Sequence, residues 1–443
     1  MRLHTLAIGA LALCFIQEAF SDTYILATGR RDPRMYAISL KDALRPANNG
    51  TPNAIVSRSK TALDRLNGRP LGDPAIVVVS EDGKTAYVVN HHGAIDNDEF
   101  LQHGGRGNIA VMDVARMVKR RHDNTADALI RHIDSGWFGA VGLVLLKDMF
   151  VVGTAESHLT EDGGNRITFV DRKTGSLRHM VELRLGTPTT HGCPAFPVPF
   201  VSPSGPPSPV AVLSPDPSWG CFPDSNGIVL AGGAQGTSYL FVANGGTDDV
   251  SVIDMKRALA GDKTPEIARI PTQIGPWGIA ASPDGRYVVA ANRESQARPF
   301  EGNTISIIDA NLHSEVARVL VGTSDASVQT RPFIPSFTPD GRYVIVPNFR
   351  SNNVSIVDFA ARTEVARIPL TRADGRPARP KGSAVTADGR YAVISAGPRV
   401  TSVPFVPSGM VYIIDLRSRS VVATVSGVGN DPYGLAIVEE DDD

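Results

Sequence analysis

Between residues 87 and 113 the chain reads YVVNHHGAIDNDEFLQHGGRGNIAVMD, which sets His91, His92 and His103 among Asp96, Asp98 and Glu99. Further on, His158 stands between Glu156 and Asp162, and His191 opens a proline-rich stretch. Neutral imidazole ligates copper, zinc or iron, and neighbouring carboxylates complete such a shell or orient the ring nitrogens. A transition-metal centre built by His91, His92, His103, His158 and His191 is the sharp expectation from these residue types. The plainer one is a set of polar loop residues that hydrogen-bond one another, since their spacing matches no established zinc motif.

A second group is cationic. Arg293, Arg298, Arg331, Arg350 and Arg399 lie in later loops, with Arg30 and Arg31 near the start of the chain. Guanidinium forks bind carboxylate or phosphate, so Arg293, Arg331, Arg350 and Arg399 are candidate ligands for an anion, with Phe300, Phe333 and Phe349 as candidate walls. Solvation, or pairing with Glu294, Glu301 and Asp325, is the competing account.

These groups need a scaffold that brings distant segments together. LFVANGGTDDVSVID (240–254) and YVIVPNFRSNNVSIVD (343–358) are one unit written twice: an apolar strand, an Asn-containing loop, and an alternating strand that ends in Asp. Longer-looped versions start at Tyr87, Met149, Tyr287 and Tyr391, and a degenerate one starts at Tyr24. Several follow a strand and a turn of the type SEDG (80–83), SPDG (282–285), TPDG (338–341) or TADG (386–389), where Asp-Gly supplies the positive φ of a short hairpin. Most precede a fourth strand such as SEVARVLVG (314–322). Each repeat is thus a meander of strands a, b, c and d.

Repetition of four-stranded sheets at this spacing predicts an all-β, seven-bladed propeller. The first blade lacks its own strand a, and PYGLAIVEE (432–440) supplies one, which closes the ring and removes open edges. LFVANGGTDDVSVID, GPWGIAASPDGRYVVAAN and DPYGLAIVEE resemble the YVTN repeat family of bacterial propellers, over about half the chain from Tyr239 onward. That resemblance implies a seven-bladed, commonly exported propeller. It leaves activity open, because the architecture hosts binding proteins, lactonases, lyases and relatives with haem or copper.

In such a meander the b-c loops and d-a connections share one end of the blade. The long insertions fall there: 90–108, 153–165, 292–303 and 396–408 between b and c, and 186–226, 322–334 and 371–382 between d and a. One face is decorated and the other trimmed, and all five candidate metal histidines map to the decorated face on blades 2, 3 and 4. His122, His132, His179 and His313 fall on c-d segments or d strands. The aspartates that end the c strands (Asp113, Asp171, Asp254, Asp309, Asp358, Asp415) read as turn formers rather than catalytic acids.

Arg2, the apolar run 6–16 and small residues at Ala19 and Ser21 read as a signal peptide over 1–21, leaving one propeller domain over 22–443 with a proline-rich insertion at about 187–225. A periplasmic or secreted location follows. Cys193 and Cys221 then form an even pair suited to a disulfide that pins the insertion. No Cys-x-x-Cys-His is present, so covalent c-type haem is not expected, and no later segment is apolar enough to span a bilayer. A net charge of -2 gives no reason to expect nucleic acid. Gly-x-Ser-x-Gly, His-Glu-x-x-His and glycine-rich phosphate loops are absent. The expectation is a propeller that binds a small ligand, and a metal ion, on its decorated face. Its rivals are a metal-assisted, lactonase-like hydrolase or lyase acting on an anionic molecule, and a platform for an exported protein partner without a small-molecule site.

Overall fold

The structure is a computed structural model that describes residues 22–30, 32–61, 65–66, 69–70, 73–91, 106–119, 125–155, 164–186, 198–199, 213–214, 223–233, 238–293, 302–397 and 408–440. Its sequence repeats fold as one recurring hairpin system. Ser80, Ser282, Thr338 and Thr386 each donate a hydroxyl hydrogen bond to the aspartate two residues on, at 2.5–2.6 Å. That carboxylate also accepts a backbone N–H two residues further along. Only the glycine of each Asp-Gly pair has positive φ. The a-b turn is therefore a five-residue loop with a left-handed glycine, not the two-residue hairpin that the Asp-Gly pair suggests on its own.

Seven four-stranded antiparallel sheets result, six of them in chain order a-b-c-d. In blade 1, Thr23–Gly29 pairs on one side with Arg34–Ser39 and on the other with the final strand Pro432–Glu439, so the last strand of the chain completes the first blade. The second strand of each blade reads as an apolar run because both faces are covered. Leu26, Met35 and Val56 of blade 1 pack on Val77, Val88 and Ala110 of blade 2. Ile25, Tyr36 and Ile38 pack on Val393, Val411 and Ile413 of blade 7, which closes the circle. Each Val, Leu or Ile so buried contributes roughly 1.5–3 kcal/mol relative to exposure.

The polar letters of the repeat have fixed duties. Asn244 donates to Asp249 and Ser251, Asn292 to Thr304 and Ser306, and Asn348 to Asn353 and Ser355, tying the end of strand b to the start of strand c. The aspartates ending strand c accept backbone N–H groups two or three residues ahead, as Asp113, Asp171, Asp254, Asp309, Asp358 and Asp415 all do. Their assignment as turn formers holds. Asp113 and Asp254 cap the short helices Val114–Val118 and Met255–Leu259 on the trimmed face.

Around the axis, strand a is entered in the same way on every blade. Asp73, Gly139, Asp224, Gly275, Arg331, Arg379 and Asp431 all have positive φ, between 30° and 68°. The next residue is proline in five of these cases, Pro74, Pro276, Pro332, Pro380 and Pro432. One residue later comes a side chain facing the axis, and usually then a glycine. A Cβ on Gly278 would lie 2.2 Å from the Phe333 carbonyl oxygen, and one on Gly382 would lie 2.0 Å from that of Tyr433. These positions are glycine because the innermost strands of neighbouring blades touch there.

Candidate functional site

The axis-facing positions of the innermost strands are Ala75, Val141, Asn226, Trp277, Phe333, Lys381 and Tyr433, on blades 2 to 7 and then 1. All are 9% exposed or less. Val141, Trp277, Phe333 and Tyr433 come from four different blades yet form one cluster with Ala155, against which Ile334 and Phe349 pack. Ring centroids are 4.7 Å apart for Trp277 and Phe333, 5.3 Å for Phe333 and Tyr433, and 5.9 Å for Trp277 and Tyr433. Rings from blades 5, 6 and 1 thus meet at the starts of the innermost strands and form an aromatic floor there.

Cations stand on that floor. The Arg30 guanidinium carbon lies 4.5 Å from the Tyr433 ring centroid, that of Arg293 4.8 Å from Phe333, and that of Arg379 4.9 Å from Phe349. Lys381 is 1% exposed, and its ammonium lies 5.1 Å from the centre of Phe349 and 5.4 Å from that of Tyr433. It also meets the Asp431 carboxylate at 2.6 Å and donates to the carbonyls of Gly397 at 2.7 Å and Arg379 at 3.2 Å. Contacts between cations and ring faces each stabilise by about 0.5–2 kcal/mol, more as water is excluded. Guanidinium groups held against rings keep their outward N–H donors in fixed directions, which favours oxyanion binding.

Of the arginines predicted as anion ligands, Arg331 and Arg350 meet at one side chain, and Arg293 stacks on Phe333. Arg331 Nε donates to Gln329 Oε1 at 3.2 Å, and Arg350 Nη1 donates to the same oxygen. Phe349 and Arg350 in turn bond through their backbone N–H groups to the carbonyls of Arg331 and Thr330. Asp325 does not neutralise them; its carboxylate accepts from Ser327. Arg399 lies outside the described residues, as do Arg31, Arg298, Glu294, Phe300 and Glu301.

Of the predicted metal ligands, His91 is described and His92, His103, His158 and His191 lie outside. His91 is 4% exposed at the seam of blades 2 and 3, where its backbone N–H donates to the Asp73 carbonyl and its Nδ1 lies 3.2 Å from the Ala140 carbonyl. A carbonyl only accepts, so Nδ1 carries a proton there. Among the described residues no group of three or more His, Cys, Asp or Glu converges as a metal shell. Cys193 and Cys221 also lie outside the described residues.

Trp277, Tyr433, Arg379, Lys381 and Asp431 were not singled out from sequence. Their signal was present in Gly275-Pro-Trp-Gly278, Arg379-Pro-Lys-Gly382 and Asp431-Pro-Tyr-Gly434, three copies of one strand entry. A separate cavity of about 740 Å3 lies on the flank of blade 1, lined by Asp32, Arg34, Tyr36, Arg58 and Asn430 among others. Of its two acids, Asp32 and Asp127, the first is already committed, since Arg34 donates to Asp32 and Tyr36 OH does so at 2.5 Å. Burial, and then the Asp32 carboxylate, push the Tyr36 hydroxyl far above the ordinary tyrosine range.

No protein-family model matches this chain, and no curated protein matches it. Solved structures do. A periplasmic gluconolactonase of Pseudomonas aeruginosa is 16% identical with a TM-score of 0.58, covering 94% of this chain and 99% of its own. A candidate 6-phosphogluconolactonase of Bacteroides fragilis is 15% identical with a TM-score of 0.59, covering 95% and 98%. A functionally unknown protein of Desulfotomaculum acetoxidans is 13% identical with a TM-score of 0.56, covering 94% and 99%. At such identities the likeness is one of fold, and it supports the seven-bladed ring. Among the described residues no helix is long and apolar enough to cross a membrane.

Proposed function

We propose that this protein is an exported propeller that binds a small anionic molecule on the decorated face, over the aromatic floor. The observation that carries the reading is the stacking of Arg30, Arg293 and Arg379 on Tyr433, Phe333 and Phe349, with Lys381 beneath. Rings offer an apolar surface to the body of a ligand, and the cations fix its charged group. Described cations at this mouth come from blades 5, 6, 7 and 1, whereas His91, Asp73 and Asp224 stand on blades 2 and 4. An anionic ligand is thereby oriented, its charged end toward blades 5 to 7 and its uncharged end toward His91.

Hydrolysis of a lactone is the second reading, favoured by full-length likeness of fold to structures named as gluconolactonases. In that reading His91, with His92, His103, His158 and His191, holds a transition metal that would supply polarisation of a substrate oxygen or an activated water. The arginines bind and orient the anionic end.

Calorimetric titration with gluconate and with 6-phosphogluconate tests the binding reading. At least one should bind, and Arg293→Ala or Arg379→Ala should weaken it by about 10-fold, in line with the loss of one charge-assisted contact. Arg269→Ala should not, because that side chain is spent on Asp249 and Glu266 in blade 4. Failure of both anions to bind removes the reading and leaves a protein-interaction platform. Turnover of the corresponding lactones separates enzyme from binder.

A further inference from the structure

Blade 1 breaks a pairing that blades 4, 5 and 6 keep. Along strand d of those blades an arginine stands three residues after a glutamate, and the two meet at 2.6 Å for Arg269 and Glu266, 2.7 Å for Arg318 and Glu315, and 2.5 Å for Arg367 and Glu364. A register shift at one fixed point of the c-d pairing, after Val252, Ile307 and Ile356, puts residues three apart on the same face. Each arginine lies opposite a serine of strand c, namely Ser251, Ser306 or Ser355. Blade 1 has the same shift after Ala37 and the same arginine, Arg58, here opposite Tyr36. The place of the glutamate is taken by Ile55, which pairs with Ile38 and is buried in the apolar seam with blade 7. Among the described residues the Arg58 guanidinium has neither a hydrogen bond nor a salt bridge.

Arg58 lines the cavity of about 740 Å3 on the flank of blade 1, and so does Asp127. Asp127 belongs to the segment that runs from strand c to strand d of blade 2, which is laced to blade 1: the Ala126 N–H donates to the Arg58 carbonyl at 2.9 Å, and the Ala128 N–H donates to Ser59 Oγ at 3.2 Å. The Asp127 carbonyl accepts from Arg116 Nη1 at 3.3 Å, yet among the described residues its carboxylate has no partner. The other acid of the cavity, Asp32, is taken up by Arg34 and Tyr36. One cavity therefore holds a cation and an anion that come from different blades, stand on tethered backbone and do not pair with each other. Pro33, Tyr36 and Leu129 give it apolar surface, and its volume lies within the range of small-molecule sites, roughly 300–1,000 Å3.

We infer that this cavity is a second binding site, sharing no lining residue with the aromatic floor, and that it takes a small zwitterion of the amino acid class, its carboxylate held by Arg58 and its ammonium by Asp127. A guanidinium fork receives a carboxylate through two parallel N–H bonds, and a carboxylate accepts from an ammonium in charge-assisted bonds. A ligand with one charge satisfies one wall only. Ile55 is what keeps the site open, because a glutamate there would close on Arg58 as Glu266, Glu315 and Glu364 close on their own arginines.

The test is calorimetric titration of the whole protein with glycine, 4-aminobutyrate and 6-aminohexanoate, which space the two charges differently, and with butyrate and butylamine, which carry one charge each. At least one amino carboxylate should bind about 10-fold or more tighter than both single-charge analogues, and Arg58→Ala and Asp127→Asn should each weaken it by about 10-fold. Arg318→Ala should leave it unchanged, because that arginine is already paired with Glu315. Ile55→Glu, checked for folding by circular dichroism, should reproduce the loss seen in Arg58→Ala; should it not fold, the exposed Arg58→Ala change carries the test alone. Binding by none of the three amino carboxylates, equal affinity for butyrate, or an affinity untouched by Arg58→Ala overturns the site, and none of these results bears on the anion reading of the floor.

Discussion

The ammonium of Lys381 on blade 7 lies 2.6 Å from the carboxylate of Asp431, which leads into the strand that completes blade 1. Both side chains are almost fully buried, at 1% and 5% exposed. This pair spans the seam between blade 7 and the strand that completes blade 1.

Removing one partner leaves the other charge buried without compensation, which costs about 3–5 kcal/mol. Lys381→Met should therefore lower stability in urea by that order, and Lys381→Met with Asp431→Asn should cost less than the sum of the single changes. An additive double mutant would show that the two charges do not act on each other.

Gly382 has no room for a side chain, since its Cβ would lie 2.0 Å from the Tyr433 carbonyl oxygen. Gly382→Ala should destabilise by about 1–3 kcal/mol through overpacking. Gly83→Ala is its control for steric contact: nothing lies within 4 Å there, and only the positive φ of 69° resists the change. Thermal melts of both variants should rank Gly382→Ala as the less stable.

Alkaline stability should depend on two phenols. Burial pushes the Tyr412 hydroxyl up to about 12, and that of Tyr36 is raised further. An unfolded tyrosine ionises near pH 10. A folded-state value above the unfolded one gives stability that is complete below about pH 10 and is lost as pH rises toward 12 and beyond. The denaturation midpoint should fall across that window, and Tyr412→Phe should flatten the fall while losing the bond to the Thr371 carbonyl. Ultraviolet titration should show phenols that ionise only on unfolding.

At the acid end the sign reverses. Asp82, Asp284 and Asp340 are held below the ordinary carboxylate range first by the Ser or Thr hydroxyl two residues back. Depressed values give stability that is present above about pH 4 and lost as pH falls through the folded values. Ser282→Ala should reduce the steepness of acid unfolding, measured as denaturation midpoint against pH.

Metal content offers a separate check on the histidines. On the metal-assisted lactonase reading, protein purified without chelator should carry copper, zinc or iron in stoichiometric amount, and His91→Ala should lower it several-fold while leaving the fold intact by circular dichroism. A metal content unchanged by His91→Ala would remove that imidazole from the shell.

The ring was legible in the sequence because its determinants are local and recur. Ser-x-Asp-Gly turns, strand-ending Asn and Asp, and apolar runs each have one structural duty, and repetition exposes them. Closure was readable from a missing strand at Tyr24 and a spare one at Pro432. The arginines were chosen by chemistry and loop position; Arg331 and Arg350 share Gln329, and Arg293 stands on Phe333. The floor was not found, because Trp277, Phe333 and Tyr433 look like ordinary core letters until the blades meet at the axis. Lys381 hid for the same reason: a lone lysine on a strand reads as solvated, and only the fold shows it buried beside Asp431.

Pairing between residues 23 and 439 makes the first-synthesised strand wait for the last. A nascent chain moving amino end first must keep Tyr24, Ile25 and Leu26 without their final neighbour until residues 432–439 have emerged. Proteolytic loss of the strand 432–439 would then expose the same edge that the incomplete polypeptide exposes, so quality control of this wheel rests on that one strand.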